Sequence, residues 1–169
     1  MTNHLFSQIR MRMPKSDTVF AALADGGIQT YGDVLAASAQ YANVLVGLGV
    51  QPGDRVAVQV DKSIEALMVY LATIRAGAIF LPLNNAYMPA EIEYFLGDAK
   101  PRVFICAPQQ AGSLSAVAQV AGAILETLGS TSDGSLAQKA QSASPLFDDV
   151  ARGPDDLGAI LYTSGTTGR

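Results

Sequence analysis

Cysteine occurs once in the 169 residues, at Cys106, and histidine once, at His4. A single thiol excludes an internal disulfide framework and suits a reducing compartment, so a cytoplasmic protein is expected. His4 lies in a terminal helical stretch with no partner near it in sequence, which reads as a surface histidine and not a catalytic one. Cys106 closes an apolar run, where a small buried hydrophobe is the default. Long apolar runs are missing as well. None approaches the about 18 residues of a membrane-spanning helix, and the N-terminus has no apolar core of a secretory signal. Neither a membrane nor secretion is therefore expected. The net charge is −4 with no basic cluster, which argues against nucleic acid as a partner.

Hydrophobic residues make up 49% and charged residues 15%. That composition describes one α/β domain with a real core, and somewhat more apolar surface than an independent domain needs. The surplus suits packing against further chain, and self-association through it is a second expectation. Near the N-terminus Arg10, Arg12 and Lys15 precede the first acid, Asp17, and alternate with Leu5, Phe6, Ile9 and Met13. A mitochondrial presequence has this pattern, and so has an ordinary amphipathic helix capped by Asn3, the reading preferred here.

Hydrophobic periodicity then alternates. Residues 19–23 and 28–30 read as short strands about the turn Asp25-Gly26-Gly27. Thr30 and Asp33 have the spacing of a capping box, followed by Val34, Tyr41, Leu45 and Leu48 on one helical face, with Gly49 as the stop. Strands are expected at 55–60, 78–83, 103–107, 123–128 and 157–163. Helices are expected from Ser63 to Gly77, from Pro89 in the first turn to about Ala99, at 114–120 and at 136–141. Residues 142–154 read as connection, and 129–154 as the most flexible stretch. Alternation of this kind implies a doubly wound, mostly parallel sheet flanked by helices, with ligands at the carboxyl ends of its strands.

The richest segment is the last. An apolar run over 157–161 opens into Tyr162-Thr163-Ser164-Gly165-Thr166-Thr167-Gly168. Hydroxyls and glycines after a buried strand are a common way to turn backbone N–H groups toward phosphate. Serine, threonine and glycine are also ordinary turn material, so the composition alone leaves both readings open. A Walker A loop needs two glycines five apart followed by Lys-Ser or Lys-Thr. Gly165 and Gly168 are three apart and Arg169 follows, so that motif fails, and no strand feeds a dinucleotide-binding G-x-G-x-x-G turn. Asp148, Asp149, Asp155 and Asp156 read as solvated loop and cap residues, not as a metal cluster.

The segment 162–168 resembles the phosphate loop of the adenylate-forming superfamily: acyl- and aryl-CoA synthetases, luciferases and peptide-synthetase adenylation domains. Arg75-Ala76-Gly77-Ala78-Ile79-Phe80-Leu81-Pro82-Leu83-Asn84, on through Tyr87, is similar to a segment that precedes that loop in the same family. So is Glu91-Ile92-Glu93-Tyr94-Phe95-Leu96-Gly97-Asp98, and so is the approach Pro154-Asp155-Asp156-Leu157. The resemblance runs from about residue 30 to 169 and is least distinctive over 108–144. The Tyr87 region reads either as a substrate-side feature or as core or subdomain packing, and packing is the reading preferred here.

The resemblance implies the N-terminal part of an acyl-CoA synthetase, with residues 1–169 as one subdomain. In it Thr163, Ser164, Gly165, Thr166, Thr167 and Gly168 bind the β- and γ-phosphates of ATP. ATP, Mg²⁺ and coenzyme A are implied with it, as is a small carboxylic acid that becomes an acyl-adenylate and then a thioester. Residues 63–98 look most like malonyl-CoA synthetases, which act on malonate or methylmalonate. The alternatives are a synthetase for another short or medium acyl group, an adenylation domain that loads a carrier protein, or a non-catalytic α/β domain with a vestigial loop. The family's metal-binding glutamate, ribose-binding aspartate and catalytic lysine belong beyond Arg169. The chain as given is thus expected to be an inactive truncation product, cut after an arginine within an exposed loop.

Overall fold

The computed structural model describes residues 2–23 and 26–162. The segment 163–168, which carries the sequence-derived phosphate-site residues, lies outside them, as does Asp25 of the expected hairpin turn. Helix α1 (His4–Met11) is capped as expected, with the Phe6 N–H donating to Asn3 Oδ1. Strands β1 (Val19–Ala22) and β2 (Ile28–Thr30) form an antiparallel hairpin. Helix α2 (Tyr31–Gly47) follows directly. Its capping box is complete: Asp33 N–H donates to Thr30 Oγ1 at 3.2 Å, and Thr30 N–H donates to Asp33 Oδ2 at 2.8 Å.

The Thr30 backbone and hydroxyl donors hold the Asp33 carboxyl below its usual range. This contribution is complete above the unfolded carboxylate pKa and is lost as pH falls through the lowered folded value. Thr30→Ala should cost about 1 kcal/mol of stability at neutral pH, checked by urea denaturation. An unchanged midpoint would mean that tertiary packing alone fixes the start of α2.

The main sheet contains β3 (Arg55–Gln59), β4 (Ile79–Pro82), β5 (Val103–Cys106) and β6 (Ile124–Thr127), in the order β4-β3-β5-β6 and parallel throughout. The crossovers are α3 (Ile64–Arg75), α4 (Pro89–Ala99) and α5 (Ala111–Val120), and α6 (Ser135–Gln141) follows β6. Strand alternation divides the core in two. Val56, Val58, Val103 and Ile105 face α1, α2, α3 and α6. Ala57, Phe104 and Cys106 face α4 and α5. Helices therefore cover both faces, as a doubly wound sheet requires. Cys106 is fully buried and its thiol is pushed up to about 11 by that burial, an inert position.

The chain moves from β3 outward to β4 and then crosses back to β5. The switch point is thus between β3 and β5, where Gln59 and Cys106 end their strands. No helix among the described residues is long and apolar enough to cross a membrane.

Two expectations are corrected. The strand expected over 157–163 is a single parallel bridge, Phe80 to Ala159. Phe80 donates to Gly158 O and accepts from Ile160 N–H, each at 3.0 Å. The next rung would need an N–H from Pro82, and proline has none. The stretch 129–154 is also tied down instead of loose. Asn43 Nδ2 donates to the Ser144 and Leu146 carbonyls, Val150 N–H to Arg75 O, and Asn3 Nδ2 to the carbonyls of Ile74 and Val150. Gly77 permits this closeness: its φ is +71°, and a Cβ there would lie 2.9 Å from Val150 Cγ1.

Candidate nucleotide-binding site

Arg75, the first residue of the segment Arg75 to Asn84, reaches across to α2 and holds the connection over 142–154 in place. It is 7% exposed. Its Nε donates to Asp149 Oδ1 at 2.6 Å, and its Nη1 to Ser38 Oγ and Leu35 O at 2.8 and 2.9 Å. The guanidinium also lies over the rings of Phe6 and Phe147. Asp149 is a solvated loop acid, as its sequence reading has it, and in addition the ion-pair partner of Arg75. Asp156 accepts from Gly153 N–H and pairs with Arg152. Asp148, Asp155 and His4 are exposed.

The remaining family-like segments converge on Tyr162, whose chain neighbour is Thr163. The β4 backbone bridges to residues 158–160, so Tyr162 comes to the carboxyl end of the sheet. Its ring packs on Phe95 of α4, with centroids 4.6 Å apart and planes at 45°. Tyr87 packs against the same Phe95 at 4.8 Å, which is the packing role expected of it. The Tyr162 hydroxyl donates to Asp98 Oδ2, in the last turn of α4. Burial first, and then the hydrogen bond and charge of Asp98, push the Tyr162 phenol up to about 12. It stays a protonated donor at any physiological pH.

Gln59 is a contributor that sequence reasoning missed. It is fully buried at the end of β3, and its Nε2 donates to the carbonyls of Asn84 and Tyr87, at 3.0 and 3.2 Å. A glutamine ending an apolar strand was the available signal, since a buried amide must find partners. Those two bonds fix the turn that presents Tyr87 to Phe95. Among the described residues, no group of three or more His, Cys, Asp or Glu side chains could hold a metal ion, so no Mg²⁺ ligand set is found there.

Residues 8–169 match the family described as AMP-binding enzyme. The chain belongs to that family. It corresponds to the N-terminal part of the adenylate-forming fold. Long-chain-fatty-acid–CoA ligase FadD13 of Mycobacterium tuberculosis is 32% identical over 142 residues, which are 82% of this chain and 28% of that protein. A component of linear gramicidin synthase from Brevibacillus parabrevis is 32% identical over 166 residues, 98% of this chain and 2% of that protein. Apo MatB from Rhodopseudomonas palustris superposes with a TM-score of 0.94 at 45% identity, covering all of this chain and 34% of MatB. The ATP-bound form of MatB gives the same TM-score at 46% identity. The chain thus spans about a third of MatB and less of FadD13.

Proposed function

We propose that the whole protein is an acid–thiol ligase that uses ATP, Mg²⁺ and coenzyme A, with malonate or methylmalonate as its acid. The observation that carries the ligase reading is the family match over residues 8–169, which includes the hydroxyl-rich segment. The malonyl assignment rests on the resemblance of residues 63–98 to malonyl-CoA synthetases and on the 45–46% identity to MatB.

In this reading Thr163, Ser164, Gly165, Thr166, Thr167 and Gly168 hold the β- and γ-phosphates through N–H and hydroxyl donors. A carboxylate oxygen attacks the α-phosphorus, the bond from that phosphorus to the bridging oxygen breaks, and pyrophosphate departs with its charge already paired. The coenzyme A thiol then takes the acyl group and releases AMP. Mg²⁺ would be held by residues outside those described and would screen the phosphate charge.

The test is pyrophosphate release by the whole protein across a panel of acids: malonate, methylmalonate, acetate, a medium-chain and a long-chain fatty acid. Release stimulated most by malonate or methylmalonate is expected. No acid-dependent release defeats the ligase reading, and release with long chains alone defeats the malonyl assignment. A second reading, an adenylation domain that loads a carrier protein, has the gramicidin synthase similarity in its favour. Formation of the CoA thioester in the same assay decides against it, whereas an adenylate that no added CoA discharges decides for it.

A further inference from the structure

We propose that Tyr162 is a positioning residue for the phosphate loop, latched to α4 by its hydroxyl on Asp98 and its ring on Phe95. The proposal rests on the reading of residues 163–168 as an ATP site and adds the device that aims them.

Four observations support it. First, the segment leading to Tyr162 has weak backbone support. Pro82 removes the rung beyond the Phe80 bridge, so hydrogen bonds to β4 do not fix the chain where it enters the loop. Side chains have to do so instead. Second, the Phe95 surface is itself held in place. Tyr87 and Tyr94 pack on it at 4.8 and 5.5 Å, and the buried Gln59 amide fixes the turn carrying Tyr87. Below it, Ile92 and Leu96 anchor α4 in the core with no exposed surface.

Third, Asp98 sits where a helix disfavours an acid. The last turn of α4 carries the negative end of the helix dipole; Arg55 caps its final carbonyls, those of Ala99 and Lys100, but no basic side chain among the described residues pairs with the Asp98 carboxylate itself. A donor on the carboxylate relieves that conflict, and Tyr162 supplies it. Fourth, a phenol is protonated at working pH, so the donor to Asp98 is always present. Fixing the last residue before a phosphate cradle lowers the freedom the cradle loses when ATP binds, which is where preorganisation contributes to affinity.

The experiment measures binding of α,β-methylene-ATP with Mg²⁺ to the whole protein by calorimetry, alongside thermal denaturation. The variants are Tyr162→Phe, Asp98→Ala, Asp98→Asn and the double Tyr162→Phe/Asp98→Ala. Each of Tyr162→Phe and Asp98→Ala should raise Kd roughly fivefold, as the loss of one such hydrogen bond implies. The double variant should be no worse than either single one, because both remove the same bond. Asp98→Asn should bind like the wild type, since its amide oxygen still accepts from the phenol.

Wild-type Kd in Tyr162→Phe overturns the latch, as do single effects that multiply in the double variant. Lowered thermal stability with unchanged Kd does so too, and leaves a pair that only steadies α4. A wild-type protein that binds the analogue but releases no pyrophosphate with any acid defeats the ligase reading, while the latch stands or falls on Kd. Wild-type binding by every variant of an active ligase defeats the latch alone. A wild-type protein that binds no analogue defeats both.

Discussion

Arg75→Ala should lower the stability of the protein by about 3 kcal/mol, the upper range for a substitution that breaks a buried hydrogen-bond network and leaves several of its polar groups unpaired. The losses add in one direction. The guanidinium leaves behind Ser38, which is fully buried, and the carbonyls of Leu35 and Phe147. Its planar contacts with Phe6 and Phe147 vanish with it. Asp149 loses less, because its side chain keeps 32% exposure and rehydrates.

Arg75→Lys should recover little of that loss. A lysine is a point charge, and the site uses a planar fork that reaches a carboxylate, a hydroxyl and two carbonyls while stacking on rings. Asp149→Asn, which keeps an oxygen toward Arg75, should cost only about 1 kcal/mol. The measurements are denaturant unfolding and limited proteolysis of the whole protein. Faster cleavage within residues 142–156 in Arg75→Ala is the local signature, because Arg75 is the main side chain joining that connection to α3. Wild-type stability in Arg75→Lys would show that charge alone, and not shape, is what the site needs.

The limits of the sequence reading follow from the same physics. Helices and parallel strands were legible because periodicity, Ser63 and Thr30 caps, and Gly49 and Gly77 stops are written in side-chain type. The connection over 142–154 looked loose because, Asp149 apart, it is tethered through backbone carbonyls such as those of Ser144, Leu146, Phe147 and Val150, which any residue could offer. The donors, Asn3, Gln40, Asn43 and Arg75, are ordinary polar residues in the sequence, and none of them announces a partner that lies so far along the chain. The apolar run at 157–161 has strand composition. It pairs at one rung because of Pro82, a residue in another segment that nothing local to the run reveals. Of the candidate site, the loop was legible as a motif, and its supports Tyr87, Phe95 and Asp98 were visible only as family-like wording. That Phe95 and Asp98 meet Tyr162, with Tyr87 packed on the same Phe95, is a three-dimensional fact.

Thr163→Ala and Thr167→Ala should each slow adenylation on the order of 10²-fold, the cost of losing one preorganised donor to developing charge. The sequence places both hydroxyls within five residues of Tyr162, which itself lies at the carboxyl end of the sheet, where nucleotides collect in doubly wound folds. The two classes of variant should separate cleanly. Tyr162→Phe acts on ATP affinity, so saturating ATP should restore most of its rate. A loop threonine that contacts the departing pyrophosphate acts on the transition state, so saturating ATP should not rescue its alanine variant. Serine at either position keeps the hydroxyl and should retain most of the activity. Thermal midpoints should stay near the wild type. Pyrophosphate release under single-turnover conditions, at several ATP concentrations, measures both effects in one experiment. If both alanine variants adenylate at the wild-type rate, these hydroxyls are turn material, and the phosphates are held by backbone N–H groups alone.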